Sequence, residues 1–435
     1  MSNSSASPSF KGWQGVKRAF ATPSAFTLFC LGFASGLPFL LVGGATLSTW
    51  LRDVGFALSV IGLVSYVSFF YVLKFLWAPL LDKFSLPFLG RRKGWLIASQ
   101  LLIILILAAM GLIGPEKSLV LFLVMVGVAA FAGATLDIVV DAYRIEVAPL
   151  EFQAALSATY ILGYRIALII SGAFALYFAE LWGWKAAYLI MAASMCLPLI
   201  ISLGAKEPEP LGALRHTKLS LTDAFIKPFE EFFSRNGVLL ALALLVFVGL
   251  FKLPDQMIGV LAGPFYLDSG YTKADIATVS KLYGVWIGIA GAFIGGTCLA
   301  LFQMRNMLLL AAIMVSTSNI AFLLMANNPG QDWAFYAAIT ADNLSQGFAG
   351  VILVAFMSSL THQSFTATQY ALLASLANLP GKFIGGLSGY IVEATSYSWF
   401  FVVSCLSVIP TLLILAFLWK LISSTNPKDV AEEPN

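Results

Sequence analysis

Twelve apolar runs, each close to the ~20 residues a helix needs to cross a bilayer, leave this chain few ways to fold. They lie near residues 25–51, 59–80, 94–114, 119–145, 154–179 and 184–204, then near 237–264, 276–302, 307–327, 334–361, 368–395 and 399–421. Composition agrees. Hydrophobic residues make up 59% of the chain and charged residues only 11%, whereas soluble domains carry roughly 25% charged residues. An all-α integral membrane protein is therefore expected, with twelve transmembrane helices.

The loops predict an orientation. With the N-terminus in the cytoplasm, inside segments hold Lys11, Lys17, Arg18, Lys83, Arg91, Arg92, Lys93, Lys206, Arg215, Lys218, Lys227, Arg235, Arg305, Lys420 and Lys428. Outside loops hold only Arg52, Lys117, Lys185 and Lys273. This bias places both termini inside, and the net charge of +3 then reports topology rather than a nucleic-acid partner. The polar first residues show no cleavable signal pattern. Residues 11–20 mix basic and aromatic side chains, which suits either an interfacial helix or a disordered tail.

The hydrophilic stretch 206–236 divides the runs six and six, with mixed charges and Pro208, Pro210 and Pro228; a short surface helix is expected over 221–234. The expected organisation is a cytoplasmic N-terminal segment at 1–22, a six-helix bundle at 23–205, a linker at 206–236, a second six-helix bundle at 237–422 and a cytoplasmic tail at 423–435. The halves echo one another. Leu51-Arg52-Asp53-Val54-Gly55-Phe56 after the first run matches Tyr266-Leu267-Asp268-Ser269-Gly270-Tyr271 after the seventh. Thr135 and Asp137 match Thr340 and Asp342, and Leu162, Arg165, Ser171 and Gly172 match Leu379, Lys382, Ser388 and Gly389. Parallel repeats of this kind mark transporters. Two six-helix bundles are the architecture of the major facilitator superfamily, and the loop after the second run resembles that superfamily's signature. It runs Ala78-Pro79-Leu80-Leu81-Asp82-Lys83-Phe84, then Gly90-Arg91-Arg92-Lys93. Asp82, Lys83, Arg91 and Arg92 are read as a conformational latch.

Charges inside the apolar runs are the candidates for function, because a charge at bilayer depth costs at least ~2.5 kcal/mol and usually faces a wet interior. Asp137, Asp141 and Arg144 share one face of the fourth helix. Counting ~1.5 Å of rise per residue puts Asp137 level with Arg165, and Asp141 level with Lys74. Two charge pairs are expected there, with Arg144 also able to neutralise Asp141. The second half carries Lys252, Asp255, Lys281, Asp342 and Lys382. Pro254, between Lys252 and Asp255, should kink its helix and expose carbonyls. Asp137 and Asp141 are the candidates for proton coupling, since burial and a nearby cation push a carboxylate in opposite directions. Arg165, Lys252 and Lys382, with Asp255 and Asp342, are candidates for substrate binding, and excess midplane cations would attract an anion. Structural ion pairing is the competing reading for each.

Among the aromatics, Trp50, Trp182, Trp184, Trp333 and Trp399 read as interface anchors, whereas Tyr66, Tyr160, Tyr164 and Trp286 could stack on a sugar ring. Gly32, Ser35, Gly36 and Pro38 in the first run, and Gly381, Gly385, Gly386 and Gly389 in the eleventh, allow close helix approach. Cys30, Cys196, Cys298 and Cys405 fall in separate runs and read as packing residues. His216 and His362 are the only histidines, so no metal site, histidine-based active site or cofactor is expected. No P-loop occurs, and transport would be driven by an ion or substrate gradient.

Several segments taken together resemble the AmpG-type muropeptide permeases of Gram-negative bacteria. They are Leu31-Gly32-Phe33-Ala34-Ser35-Gly36-Leu37-Pro38, Lys74-Phe75-Leu76-Trp77-Ala78-Pro79-Leu80-Leu81-Asp82, Gly90-Arg91-Arg92-Lys93-Gly94-Trp95, Asp137-Ile138-Val139-Val140-Asp141-Ala142 and Leu162-Gly163-Tyr164-Arg165. The likeness is densest from about residue 24 to 205 and thinner beyond, where Phe251-Lys252-Leu253-Pro254-Asp255 is the clearest echo; Leu136 stands where the family is expected to carry glutamine. The resemblance implies proton-coupled import of N-acetylglucosaminyl-1,6-anhydro-N-acetylmuramyl peptides across the bacterial inner membrane. It also implies a role in peptidoglycan recycling, with a link to β-lactamase induction and β-lactam resistance. The expected partners are that amino-sugar peptide, protons and the bilayer, with a monomeric carrier and no enzymatic activity. Two alternatives stay open. One is a transporter of acetyl-CoA or another organic anion from the same superfamily, and the other is a membrane-embedded transferase.

Overall fold

The computed structural model describes residues 23–84, 86, 90–147, 153–208, 230–360 and 366–422, and these are almost wholly helical. Segment 11–20, His216, His362, the tail 423–435, and the side chains of Asp82 and Lys83 lie outside the described residues, as does the 221–229 portion of the expected linker helix; residues 230–236 are helical. Among the described residues nine stretches are long and apolar enough to cross a membrane. One of them, Thr159–Gly204, is 46 residues long and turns at Gly183, whose φ of 79° only glycine adopts readily, so it holds two of the expected crossings. The second and eleventh expected spans are occupied by helical segments between Leu58 and Lys83 and by Thr366–Ala394. This arrangement agrees with the twelve helices expected.

The second span is not the continuous helix expected from its apolar run. It is divided into Leu58–Val64, a 3₁₀ turn at Ser65–Ser68, Phe69–Val72, a second 3₁₀ turn at Lys74–Leu76, and Ala78–Lys83. Pro79 sits in the first turn of the last piece, where its missing N–H costs nothing. The fifth and eighth spans contain π-helical stretches at Ile170–Phe174 and Ile276–Tyr283, a distortion often found at functional sites.

By contacts the chain separates into two compact units. The first comprises the described residues of Met1–Val42, Leu73–Ser171 and Lys185–His216. Here the Pro23–Gly43 and Gln153–Ile169 helices meet at their backbones: a side chain at Gly32 would overlap the Tyr160 carbonyl oxygen, and one at Gly163 would overlap that of Phe29. Buried polar groups tie the other helices together. Gln100 Nε2 donates to Ser202 Oγ at 2.8 Å, and the Tyr188 hydroxyl donates to the Leu41 carbonyl at 2.8 Å.

The second unit comprises Gly43–Val72, Gly172–Trp184 and the described residues of Thr217–Asn435. Glycines again set the spacing, with Gly62 against the Gly386 carbonyl, Gly389 against that of Leu58, and Gly386 beneath the Tyr66 ring. Its core is aromatic. Phe247 packs edge-on to Phe251 and Phe356 at 5.5 Å from each, contacts worth ~1 kcal/mol apiece beyond the area they bury. The internal repeat at 51–56 and 266–271 is reproduced bond for bond. Val54 N, Gly55 N and Phe56 N donate to the carbonyls of Trp50, Arg52 and Leu51. Ser269 N, Gly270 N and Tyr271 N donate to those of Phe265, Leu267 and Tyr266. Gly55 and Gly270 have φ of 91° and 90°, the left-handed turn that ends a helix.

Candidate functional site

Among its described residues, the first unit carries a charged cluster inside its spans. Lys74, at the start of the second 3₁₀ turn, places Nζ 3.1 Å from Asp137 Oδ2 and 3.9 Å from Asp141 Oδ2. Arg144 reaches Asp141 at 3.7 Å. The level matching of Asp137 with Arg165 is thus not realised: Arg165 is exposed and makes no ion pair among the described residues. Depth along a helix fixes the height of a side chain but not its face, and the long stem of Lys74 spans one helical turn to serve both aspartates. The other carboxylate oxygen of Asp137, Oδ1, is buried without a hydrogen-bond partner among the described residues. A buried carboxylate oxygen with free lone pairs costs free energy unless a proton or donor occupies it.

The wall beside this cluster is aromatic. Tyr160 lies within electrostatic reach of both aspartates, and Tyr164 within reach of Asp137. Trp77, one turn after Lys74, donates its indole N–H to Thr135 Oγ1 at 3.1 Å and packs on Phe131. The remaining aromatic candidates lie elsewhere. Tyr66 in the second unit donates its hydroxyl to the Phe383 carbonyl at 2.9 Å. Trp286, 72% exposed, shares an exposed apolar face with Ile289 and Phe293, as a lipid-facing residue does.

The second unit carries its own set. The expected kink occurs at Lys252, which separates Val238–Phe251 from Leu253–Asp268. The carbonyl that Pro254 leaves without its helical donor, Leu250 O, accepts from Thr411, and Pro254 O, at the start of the next helix, accepts from both Asn319 and Ser404. Asp342 receives Gln346 Nε2 at 2.9 Å on each oxygen and lies within electrostatic reach of Asp255 and Lys281. Lys281 sits in the π-helical stretch. Lys252, Lys281 and Lys382 are half-buried, and among the described residues none has a carboxylate within ion-pair distance. No group of three or more potential metal ligands occurs among the described residues.

A third feature is one the sequence reading missed. Arg92, buried, grips Glu146 through Nη2 at 2.7 Å and Nε at 3.1 Å, and Arg91 adds a bond at 2.9 Å. The carboxylate of Glu207 accepts the backbone N–H groups of Arg92 and Lys93 at 2.8 and 2.9 Å, closing the start of the Arg91–Lys117 helix where the dipole favours an anion. Arg91 and Arg92 are thus ion-paired to Glu146, and Glu207 caps the helix that they begin. The available signal was an acid two residues beyond Arg144 and another just past the sixth run.

Burial pushes the Glu146 carboxyl up, but hydrogen bonds and charge from Arg92 and Arg91 outweigh this and hold it below the usual carboxylate range. A lowered folded-state pKa gives stability that is present above the unfolded value, ~4.3, and is lost as pH falls through the range below it. Glu146→Gln is expected to cost about 3 kcal/mol at neutral pH and to flatten the fall in melting temperature between about pH 6 and pH 3. Thermal unfolding in detergent across that range checks this. An unchanged acid limb in the variant would remove Glu146 from the role.

The Major Facilitator Superfamily family model matches residues 25–385. The chain is 36% identical to the anhydromuropeptide permease of Escherichia coli (strain K12) over 414 residues, covering 95% of this chain and 83% of that protein. The chain belongs to the anhydromuropeptide permease (AmpG) family of the major facilitator superfamily. Another AmpG relative, the putative transporter AmpG 4 of Rickettsia felis, is 35% identical, with 93% of this chain and 99% of that one covered. The fold is shared with solved transporters of low identity. A bacterial homologue of the human lysosomal transporter Spinster has a TM-score of 0.65 at 15% identity, covering 96% of this chain and 99% of that one. A D-xylose-proton symporter has a TM-score of 0.66 at 11% identity, covering 90% and 96%. An AmpG-family chain of this fold is a transporter and not an enzyme, which removes the transferase alternative.

Proposed function

We propose that this carrier imports anhydromuropeptides, N-acetylglucosaminyl-1,6-anhydro-N-acetylmuramyl peptides, from periplasm to cytoplasm with protons, for peptidoglycan recycling. In this reading it is a monomer of the bacterial inner membrane with both termini cytoplasmic, built from bundles at 23–205 and 237–422. Its activity would feed β-lactamase induction where that system exists. Family membership supports the substrate class. The observation that carries proton coupling is the Lys74, Asp137, Asp141 cluster, with the buried and unpartnered Oδ1 of Asp137. Protonation at Oδ1 would weaken the hold on Lys74 and let the pair separate. Lys252 and Lys382, which have no contact counter-ion among the described residues, and the exposed Arg165 suit the carboxylates of the peptide. Tyr160 and Tyr164 suit the apolar face of a sugar ring. Uptake of defined anhydromuropeptides into proteoliposomes, with and without an inward proton gradient, tests the whole reading. Accumulation that ignores the gradient would overturn coupling, and no accumulation would overturn the substrate.

A cationic set of this kind suits other organic anions too, acetyl-CoA among them. Competition by a nucleotide thioester for the same uptake would favour that reading. Arg165→Ala is expected to weaken uptake of peptide-bearing substrate about tenfold while changing uptake of the peptide-free disaccharide by less than about twofold. Equal loss for both, measured side by side, would assign Arg165 a structural role.

A further inference from the structure

The two aspartates of the internal repeat, Asp53 and Asp268, occupy equivalent positions at the ends of the first and seventh spans, and each is the hub of a matching cluster in the second unit. Asp53 Oδ2 accepts the Trp184 indole N–H at 2.6 Å and Lys273 Nζ at 3.0 Å. Asp268 accepts the Tyr397 hydroxyl at 2.7 Å and Arg52 Nε at 2.7 Å. Trp184 opens the sixth span and Tyr397 the twelfth, so the aromatic donors are equivalent as well. Four residues before each donor stands a glutamate. Glu180 lies 3.6 Å from Lys273, and Glu393 lies within electrostatic reach of Arg52 while accepting Ser59 N at 2.9 Å. Trp50 stacks on Trp184 at 5.5 Å with the rings 13° from parallel, and Lys273 lies 5.9 Å from the Trp184 ring.

Each cluster joins residues from both sequence halves. Asp53, Trp184 and Glu180 come from the first half and Lys273 from the second; Arg52 comes from the first and Asp268, Tyr397 and Glu393 from the second. Carriers of this fold expose their site alternately to the two sides as one repeat moves against the other. Bonds across the halves at one end must break whenever that end opens.

From this duplicated geometry we infer that Asp53 and Asp268 are the hubs of two equivalent locks, which together hold the end of the carrier expected to face outside in its closed state. Because each hub is a carboxylate that takes one aromatic donor and one cation, neither lock dominates, and the closed state persists until both are released. Ordinary exposed ion pairs would contribute little. Here each carboxylate is held by a charged donor and an aromatic donor at once, and the donors come from different spans, so the cost of release is spread over four helix ends.

The inference depends on the fold and not on the substrate, and hydrogen exchange on the purified full-length chain tests it without transport. Asp53→Asn and Asp268→Asn singly should each raise exchange at residues 45–56 and 260–271 by about twofold. The double variant should raise it about tenfold or more, and should lower exchange at 91–100 and 141–146, at the opposite end, as the population shifts. Trp184→Phe with Tyr397→Phe removes both aromatic donors and leaves every charge; it should reproduce the double effect in weaker form. Asp53→Asn combined with the charge swap Arg52→Asp and Asp268→Arg keeps the ion pair of the second lock but not its aromatic bond, and should exchange at a rate between those of the Asp53→Asn single variant and the double variant. Equal exchange in the parent and both double variants would overturn the locks. So would faster exchange at 45–56 and 260–271 with no change at the opposite end, which local fraying would give. A full effect from one single variant would overturn their equivalence.

Discussion

Replacing Asp137 with asparagine is expected to abolish proton-driven accumulation, by about a hundredfold or more, while substrate exchange at equal pH on both sides persists. Asparagine keeps the shape of the side chain but cannot take up and release a proton. It also withdraws the charge 3.1 Å from Lys74, leaving only Asp141 at 3.9 Å to neutralise that lysine. Removing one member of a buried pair costs ~3–5 kcal/mol. The cost here falls short of that range, because Lys74 is 30% exposed and keeps a second carboxylate. The variant should therefore fold and insert. Initial uptake rates in proteoliposomes, with the outside pH stepped between about 5.5 and about 7.5, decide the matter. An uptake profile like that of the parent chain would take Asp137 out of the coupling role. Asp141→Asn is the informative companion, since Arg144 shares that carboxylate and a smaller loss is expected.

Gly163→Leu should be the most damaging single change to the first unit. The Gln153–Ile169 and Pro23–Gly43 helices touch there through backbone atoms, and any side chain at 163 overlaps the Phe29 carbonyl oxygen, as one at Gly32 overlaps that of Tyr160. Overpacking ordinarily costs ~1–3 kcal/mol. A backbone carbonyl cannot rotate aside as a side chain can, so the helices must part, and the cost should reach the top of that range. A melting temperature lower by about 5 °C is expected, together with loss of transport as Tyr160 and Tyr164 are carried away from the aspartates. Gly127→Leu serves as the control, because nothing lies within 4 Å of the side-chain position there. A control that falls as far as Gly163→Leu would refute the close-contact explanation.

The sequence made much of the architecture legible because lipid leaves a chain few options. Apolar length predicts spans, and the glycine clusters at Gly32 and Gly386 predict where helices touch. The repeat at 51–56 and 266–271 was readable because its turn demands glycine at the same place in both copies. Charges inside the spans were also readable, since Lys74, Asp137 and Asp141 stand out against an apolar background. The partners of Asp141, Lys74 and Arg144, were readable as well, but that of Asp137 was not. Counting residues gives height in the membrane, and the azimuth that decides between Lys74 and Arg165 depends on helix packing and on the 3₁₀ turn at Lys74–Leu76. Glu146 and Glu207 escaped notice for a related reason. Acids at span ends are unremarkable in composition, and only the folded chain brings them to Arg91, Arg92 and the free N–H groups behind Gly90.

The bend at Lys252 has a consequence for how the seventh span behaves. A proline kink with loose carbonyls is a flexing joint, because water or any passing donor can stabilise several angles. Here the carbonyls of Leu250 and Pro254 are bonded by Thr411, Asn319 and Ser404, which belong to the ninth and twelfth spans. The bend is therefore braced on both sides of Lys252 by hydrogen bonds from two other spans. Lys252 and Asp255 sit at that braced bend, so their placement is tied to the packing of the ninth and twelfth spans as well as to their own helix.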